Sequence, residues 1–324
     1  MRKHWKGAAA VFAAVATVLL VVGCSTTTTP PATEQPAETK GPIVIGSKID
    51  TEGELLATII QQVLESKGFT VTDKSQTGTT DVVRKALLAG DIGMYPEYTG
   101  SGLIFFEGDP AATPETFKDP EKGYETVKQL DLAKNNVVWL TPAKANNTWL
   151  IAVKKDFADK NGLKTMSDFA QYVKDGKTVK LAASDEFFNN ADAWPAFVST
   201  YGFDLKDNQK VIFSGGNTAQ TEKAVADGTE GVNFGMAYGT DGALADLGLT
   251  VLEDDKGAQL VYWPVPIIRK DVLDKNPEIE ADLAPVFNAL TIEKLQELNA
   301  RIQVNGESAE TVAKEFLASG GFVK

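Results

Sequence analysis

The chain has 324 residues, of which 43% are hydrophobic and 23% are charged, and its formal net charge is −12. These proportions are ordinary for a soluble globular protein, and about 300 residues beyond a leader suffice for two compact domains. The negative net charge argues against binding to nucleic acid and against electrostatic binding to anionic lipid, because both partners require a basic surface.

Residues 1–41 have the pattern of an export signal followed by a tether. Residues 1–6 are basic, residues 7–22 are apolar, and small residues precede Cys24, which is typical of a signal peptide. The apolar run is short for a transmembrane helix, the alternative interpretation. Residues 21–24 (VVGC) resemble the lipobox of bacterial lipoproteins, although leucine is more usual at Val21. We predict a signal peptide over residues 1–23, then a lipidated Cys24 and a flexible tether over residues 24–41.

Between residues 43 and 95 the pattern alternates between strand and helix. The predicted elements are strands over residues 43–47, 69–72 and 91–95 and helices over residues 52–66 and 81–89. Thr79 or Thr80 is the expected N-cap of the second helix. This order predicts a mostly parallel sheet with helices on both faces.

The same alternation returns later in the chain. The predicted elements are strands over residues 149–153, 178–183, 211–213 and 232–237 and helices over residues 167–174, 194–201 and 218–226. Ser167 is the expected cap of the first of these helices. From Asp271 onward the pattern is helical, punctuated by Pro277, Pro285 and Thr291. We therefore expect two α/β lobes and a helical C-terminal section, with a ligand in the cleft between the lobes.

Histidine and cysteine each occur once, as His4 and Cys24. The rest of the chain therefore offers no imidazole or thiol for a nucleophilic triad or a zinc site. We expect no disulfide, no metal and no cofactor. Carboxylate chemistry like that of glycosidases needs a facing pair of acids, which the sequence alone does not reveal. The glycine-rich segments lack the lysine-serine ending of a phosphate loop and the three-glycine dinucleotide pattern.

Aromatic residues gather where predicted strands begin or end. Four of the seven tyrosines lie in such loops, and Trp149 opens a strand. A single tyrosine or tryptophan at a loop end more often covers a core with its polar tip in water. Their recurrence at several strand ends favours a site in the cleft. The four tyrosines are Tyr95, Tyr98, Tyr238 and Tyr262.

Eight ordered motifs together resemble the glycine betaine/choline-binding proteins of osmoprotectant ABC transporters. They include GSKIDTE at residues 46–52, YPEYTG at 95–100, NTWLIAV at 147–153 and AYGTDG at 237–242. The others span residues 77–92, 185–195, 254–256 and 266–269. Order and spacing hold from about residue 43 to the C-terminus, which is far more specific than any one match.

The resemblance implies a two-lobed, periplasmic-binding-protein-like α/β fold with a ligand cleft and a two-segment hinge. Lobe I would hold residues 42–145 and 256–324, and lobe II residues 146–255. It also implies a monomeric, exported binding protein and not an enzyme. The protein would be lipid-anchored facing the periplasm or cell exterior and would deliver its ligand to an ABC permease.

The resemblance also implies a set of site residues. A cage of Tyr98, Trp149, Tyr238 and Tyr262 would surround the trimethylammonium head of glycine betaine. Lys48 and Ser101 would hold its carboxylate, and Asn147 and Asn190 complete the expected set. Three positions depart from the family pattern: Trp149 stands where tyrosine is usual, Asn190 where arginine is usual, and Gly53 where glutamine is common.

Other functions remain open at this stage. The alternative ligands are choline, another methylated amine and an amino acid, although Lys48 favours a ligand that carries a carboxylate. The chain is alternatively a ligand sensor for a membrane signalling protein, since a sensor would use the same cleft. A secreted carboxylate-dependent enzyme, such as a sugar hydrolase, is a further alternative.

Overall fold

The computed structural model describes residues 40–213 and 218–323. The predicted signal peptide, Cys24 and all but the end of the predicted tether lie outside the described residues. The strands are β1 (Lys40–Lys48), β2 (Phe69–Gly78), β3 (Met94–Tyr98), β4 (Val137–Trp139), β5 (Trp149–Lys154), β6 (Leu181–Ser184), β7 (Lys210–Phe213), β8 (Phe234–Tyr238), β9 (Leu249–Leu252) and β10 (Pro264–Arg269).

The helices lie between these strands and after the last of them. They are α1 (Thr51–Ser66), α2 (Thr80–Ala89), α3 (Gly102–Phe105), α4 (Pro114–Lys118), α5 (Pro120–Asn135), α6 (Lys155–Asn161), α7 (Met166–Lys174), α8 (Asp185–Asn189), α9 (Trp194–Tyr201), α10 (Thr218–Asp227), α11 (Ala243–Asp246), α12 (Lys270–Leu273), α13 (Glu278–Ala289), α14 (Ile292–Gln303) and α15 (Ala309–Ser319). No helix in the described ranges is long and apolar enough to cross a membrane.

The strands form two five-stranded sheets, ordered β2-β1-β3-β10-β4 and β7-β6-β8-β5-β9. The chain leaves the first sheet after β4, builds the second with β5 to β9, and returns to the first with β10. It therefore passes between the sheets twice. This is the two-lobed α/β fold with two connecting segments that the sequence predicted.

In each sheet four of the five strands run in the same direction and one is antiparallel to both of its neighbours, so the prediction of a mostly parallel sheet is confirmed. β1 runs parallel to β2 and β3, and β6 runs parallel to β7 and β8. β10 is antiparallel to β3 and β4, and β5 is antiparallel to β8 and β9. The antiparallel strands are those by which the chain enters a sheet from the other one. Because they begin where their neighbours end, Pro264 lies opposite Tyr98 and Trp149 lies opposite Tyr238.

Helix α1 joins the first sheet to the C-terminal helices. Asp50 caps it by accepting the Gly53 N–H at 2.7 Å. One face of α1 is fully buried in a core shared with α13, α14 and α15, and each such aliphatic side chain contributes about 1.5–3 kcal/mol. The C-terminal helices thus belong to the core of the first sheet. The buried residues of that face are Leu55, Leu56, Ile59, Ile60, Val63 and Leu64.

Several predicted boundaries shift. Helix α7 is capped by Thr165, whose side chain and that of Asp168 form a capping box, so the assignment of Ser167 as the cap is wrong. Ser167 instead donates to Asp255 at 2.6 Å. Strand β3 begins at Met94 and not at residue 91, because the left-handed Gly90 ends α2 and a turn follows. Helices α3 to α5 were not predicted.

Candidate ligand-binding site

Three aromatic rings meet where the two sheets approach each other. Since β5 and β8 are antiparallel with Trp149 opposite Tyr238, their ring centroids lie 6.2 Å apart. Tyr262, on the segment that leads back to the first sheet, places its ring centroid 6.0 Å from that of Trp149, with the planes at 72°. We call Trp149, Tyr238 and Tyr262 the aromatic cluster.

Backbone contacts and one glycine fix the position of Tyr262. Its N–H donates to Asn146 Oδ1 at 2.9 Å, and its carbonyl accepts the Asn147 N–H at 3.0 Å. Its ring lies against Gly100, where a Cβ atom would come within 2.6 Å of the ring. Any other residue at position 100 would therefore displace the ring.

Tyr98, the fourth ring of the predicted cage, has polar neighbours. It ends β3, and its hydroxyl donates to Glu52 Oε1 at 2.9 Å. The Lys48 ammonium lies 4.7 Å from its ring centroid. Asn147, which also donates to Glu52 Oε1 at 3.0 Å, connects Tyr98 to the segment that holds Tyr262. Tyr98 thus lies on a polar side of the site.

Lys48 and Ser101, the expected carboxylate ligands, both contact a carboxylate of the protein itself. Lys48 Nζ lies 2.6 Å from Glu97 Oε1, and Ser101 Oγ donates to the same oxygen at 2.9 Å. The fully buried Glu97 also accepts the Tyr98 N–H at 2.8 Å and the Tyr95 hydroxyl at 2.9 Å. Glu97 lies in the YPEYTG motif but was not among the predicted site residues.

Glu52 is a second carboxylate that was not among the predicted site residues. Besides Tyr98 and Asn147, it accepts the Asn299 side-chain N–H at 2.8 Å. Burial raises the pKa of Glu52 to about 7, although hydrogen bonds from Thr240, Asn299 and Tyr98 oppose the rise. The only sequence signal was its place after Thr51 in the GSKIDTE motif.

Asn190 makes its hydrogen bonds within its own loop and none to the aromatic cluster. Its N–H donates to the Glu186 carbonyl, and its Oδ1 accepts the Asp192 N–H at 3.0 Å. The carboxylate of Asp192 is close enough to help raise the pKa of the Tyr262 phenol. The loop therefore approaches the cluster, while the Asn190 amide is engaged within the loop.

The electrostatics of the site suit a cation. Burial raises the pKa of the Tyr98, Tyr238 and Tyr262 phenols, so all three stay neutral at physiological pH. The acids Asp50, Glu186 and Asp192 act on these phenols through their charges. Neutral rings with acids nearby attract cations through the ring faces. Among the described residues, no group of three or more His, Cys, Asp or Glu side chains could hold a metal ion.

Comparison with known proteins agrees with this geometry. Residues 41–319 match the family described as the substrate binding domain of ABC-type glycine betaine transport system. The chain is 46% identical over 293 residues to the glycine betaine-binding protein YehZ of Escherichia coli K12, covering 90% of this chain and 95% of that protein. It is 32% identical over 279 residues to a glycine-betaine-binding protein of Pseudomonas aeruginosa, covering 84% and 86% of the two chains.

A solved structure gives the same result. Apo YehZ from Escherichia coli superposes with a TM-score of 0.74 at 49% identity, covering 87% of this chain and 99% of that one. The family consists of binding proteins, so the prediction that the chain is not an enzyme is confirmed. The chain belongs to the family of substrate-binding domains of ABC-type glycine betaine transport systems.

Proposed function

We propose that this chain binds glycine betaine at the aromatic cluster and delivers it to the permease of an ABC importer. The observation that carries this proposal is the meeting of Trp149, Tyr238 and Tyr262 between the two lobes. Tyr238 ends a strand of one sheet, and Tyr262 lies on the segment returning to the other. Closure of the lobes on a ligand would therefore bring the rings around it.

A quaternary ammonium fits such a site better than most cations. It has no N–H to donate, so hydrogen-bond acceptors gain little from it. Each ring face attracts it by about 0.5–2 kcal/mol when desolvated. Tryptophan is the strongest of these partners, so Trp149 in place of the usual tyrosine favours the cation.

The carboxylate of betaine is assigned to Lys48. An ammonium has three donors, and the contact with Glu97 uses one of them. Ser101 gives its hydroxyl proton to Glu97, so it supports Lys48 indirectly. Asn190 supplies no charge at the position where the family resemblance implies an arginine. The carboxylate end is therefore the weaker half of the site.

Choline is the second candidate ligand, and the pairing of Lys48 with Glu97 is what favours it. The pair is neutral overall, so it attracts a carboxylate less than a free lysine would. A ligand that has the trimethylammonium head and no carboxylate loses little by this arrangement.

The proposal also includes the lobe boundaries, the membrane anchor and the oligomeric state. Lobe I comprises residues 42–145 and 256–324 and lobe II residues 146–255, which agrees with the membership of the two sheets. Members of the family are extracytoplasmic. For this chain we add a lipid anchor at Cys24, after removal of residues 1–23, and a monomeric state.

Calorimetric titration of the purified protein tests the ligand. Glycine betaine should bind, and affinity should fall stepwise for dimethylglycine and monomethylglycine, because each lost methyl exposes an N–H that the rings cannot accept well. Glycine should not bind detectably. Glycine binding as tightly as betaine, or no binding of either betaine or choline, would overturn the proposal.

A further inference from the structure

Glu52 gathers hydrogen-bond donors from separate parts of the chain. Its Oε1 accepts from Tyr98 at the end of β3 and from Asn147 on the first connecting segment. Its Oε2 accepts from Asn299 on α14, and Thr240, after β8, adds a further hydrogen bond. Only 5% of the Glu52 residue is exposed to solvent. One buried carboxylate thus contacts both lobes and one connecting segment.

Beside Glu52, helix α14 contacts the loop that follows Tyr238. Asn299 donates to the Thr240 carbonyl at 3.0 Å, and Gln296 donates to the Gly239 carbonyl at 2.8 Å. At Gly242 a Cβ atom would lie 2.0 Å from the Ala300 nitrogen, so the loop and the helix are in direct backbone contact. Glu52 therefore touches Tyr98 on one side and the loop after Tyr238 on the other.

Two amide oxygens beside Glu52 have no donor. Asn147 Oδ1 and Asn299 Oδ1 are buried and accept no hydrogen bond from the residues that the structure describes. In the present orientation both amides offer N–H groups, which suits a carboxylate. Rotation of the Asn147 amide by about 180° would offer its oxygen, which suits a protonated acid that must donate. Asn299 keeps its orientation, because its N–H groups also serve the Thr240 carbonyl. The surroundings can therefore serve both protonation states.

We propose that Glu52 is a proton-linked positioning residue, whose ionised form holds Tyr98 and the loop after Tyr238 in the arrangement that binds a cation. This inference rests on the proposed function, since it concerns the affinity of the same site. Glu52 does not touch the ligand. It acts through Tyr98 and Thr240, and its negative charge adds to the attraction for a quaternary ammonium.

Other titratable groups also lie near Glu52. Asp50, before α1, carries the same sign and helps raise the pKa of Glu52. Asp241, after Thr240, accepts the Tyr238 N–H at 2.6 Å, and burial raises the pKa of Asp241 and of its neighbour Glu222. The Glu52→Gln variant separates the contribution of Glu52 to the pH dependence from that of this pair. The nearby cations are paired: Lys48 with Glu97, Lys144 with Glu121, Lys294 with Glu297, and Arg301 with Glu307 and Glu315.

The consequence is a pH-dependent affinity near neutrality. Because the pKa of Glu52 is raised to about 7, its ionised fraction falls about tenfold between pH 8 and pH 6. The association constant for betaine should fall by up to the same factor. Binding at pH 7 should release protons, since a bound cation favours the ionised acid.

Titration of betaine and choline at pH 6, 7 and 8 tests the inference, with Glu52→Gln as the variant. Glutamine keeps the shape of the neutral acid, so this variant should bind as weakly as the parent does at pH 6 and lose the pH dependence. Glu54→Gln is the matched control. It changes a neighbouring acid in the same helical turn, whose carboxylate contacts Gln76, and it should keep the parent's pH profile.

Parent titrations in buffers of different ionisation enthalpy measure proton release directly and do not depend on how well the variant folds. Equal affinity at pH 6 and pH 8 with no proton release would overturn the inference and leave the proposed function standing. A Glu52→Gln protein that keeps the full pH slope would also overturn it. Absence of binding at every pH would instead count against the proposed function.

Discussion

The two sides of the site differ in how many hydrogen bonds and ion pairs their groups already make within the protein. On the polar side, Glu97 accepts hydrogen bonds from three side chains or backbone groups and pairs with Lys48. On the aromatic side, the ring of Trp149 packs against the rings of Tyr238 and Tyr262. The polar side is therefore a support, and the aromatic side supplies the contact surface for a ligand.

The largest expected effect is on the polar side, from Glu97→Ala. It would leave buried donors without an acceptor and Lys48 without its partner, which should lower the free energy of unfolding by about 3–5 kcal/mol. Urea denaturation measures this loss. Glu97→Gln keeps one acceptor oxygen and should lose less. A Glu97→Ala protein as stable as the parent would show that the polar side is not a support.

The buried acid Glu52 should make stability depend on pH. Its pKa is raised by burial from 4.5 to about 7, so the folded state holds the proton more tightly than the unfolded state. The favourable contribution is fully present below about pH 4.5 and is lost as pH rises through about 7, by at most about 3 kcal/mol. Denaturation at pH 5 and pH 8 should show a smaller decrease for Glu52→Gln than for the parent. An equal decrease in the two proteins would contradict this assignment.

Trp149→Ala should weaken betaine binding by about 1–3 kcal/mol, because it removes a ring face and buried area. Trp149→Tyr should lose much less, since a ring remains. Calorimetry measures both. The control is Tyr172→Ala, which removes a ring that packs on Phe157 at 6.1 Å and lies outside the aromatic cluster. Equal losses for Trp149→Ala and the control would mean that the cluster has no special role.

The smallest expected effect is on ligand preference. Lys48→Ala should weaken betaine binding about 1 kcal/mol more than choline binding, because only betaine has a carboxylate and the charge of Lys48 is already shared with Glu97. The measured quantity is the ratio of the two affinities, which a uniform loss of stability does not change. An unchanged ratio would remove Lys48 from the ligand's carboxylate.

The sequence predicted the features that local pattern controls. The face of α1, the strands next to Trp149 and Tyr238, and the two-lobed fold follow from periodicity and motif order. The roles of Glu52 and Glu97 did not follow. Asn299 is 247 residues from Glu52 in the chain, and Lys48 taken alone gives no sign that a buried acid neutralises it. The one antiparallel strand of each sheet, β10 or β5, was not predicted because strand direction is set by where the chain crosses between lobes.

In the proposed function, the aromatic cluster recognises a positive charge and not merely a methylated shape. The most direct test is calorimetric titration with glycine betaine and with 3,3-dimethylbutanoate, in which carbon replaces the quaternary nitrogen and the shape is kept. The neutral-headed analogue should bind at least about tenfold more weakly, since it has no cation–π attraction. Equal affinity for the two compounds would contradict it.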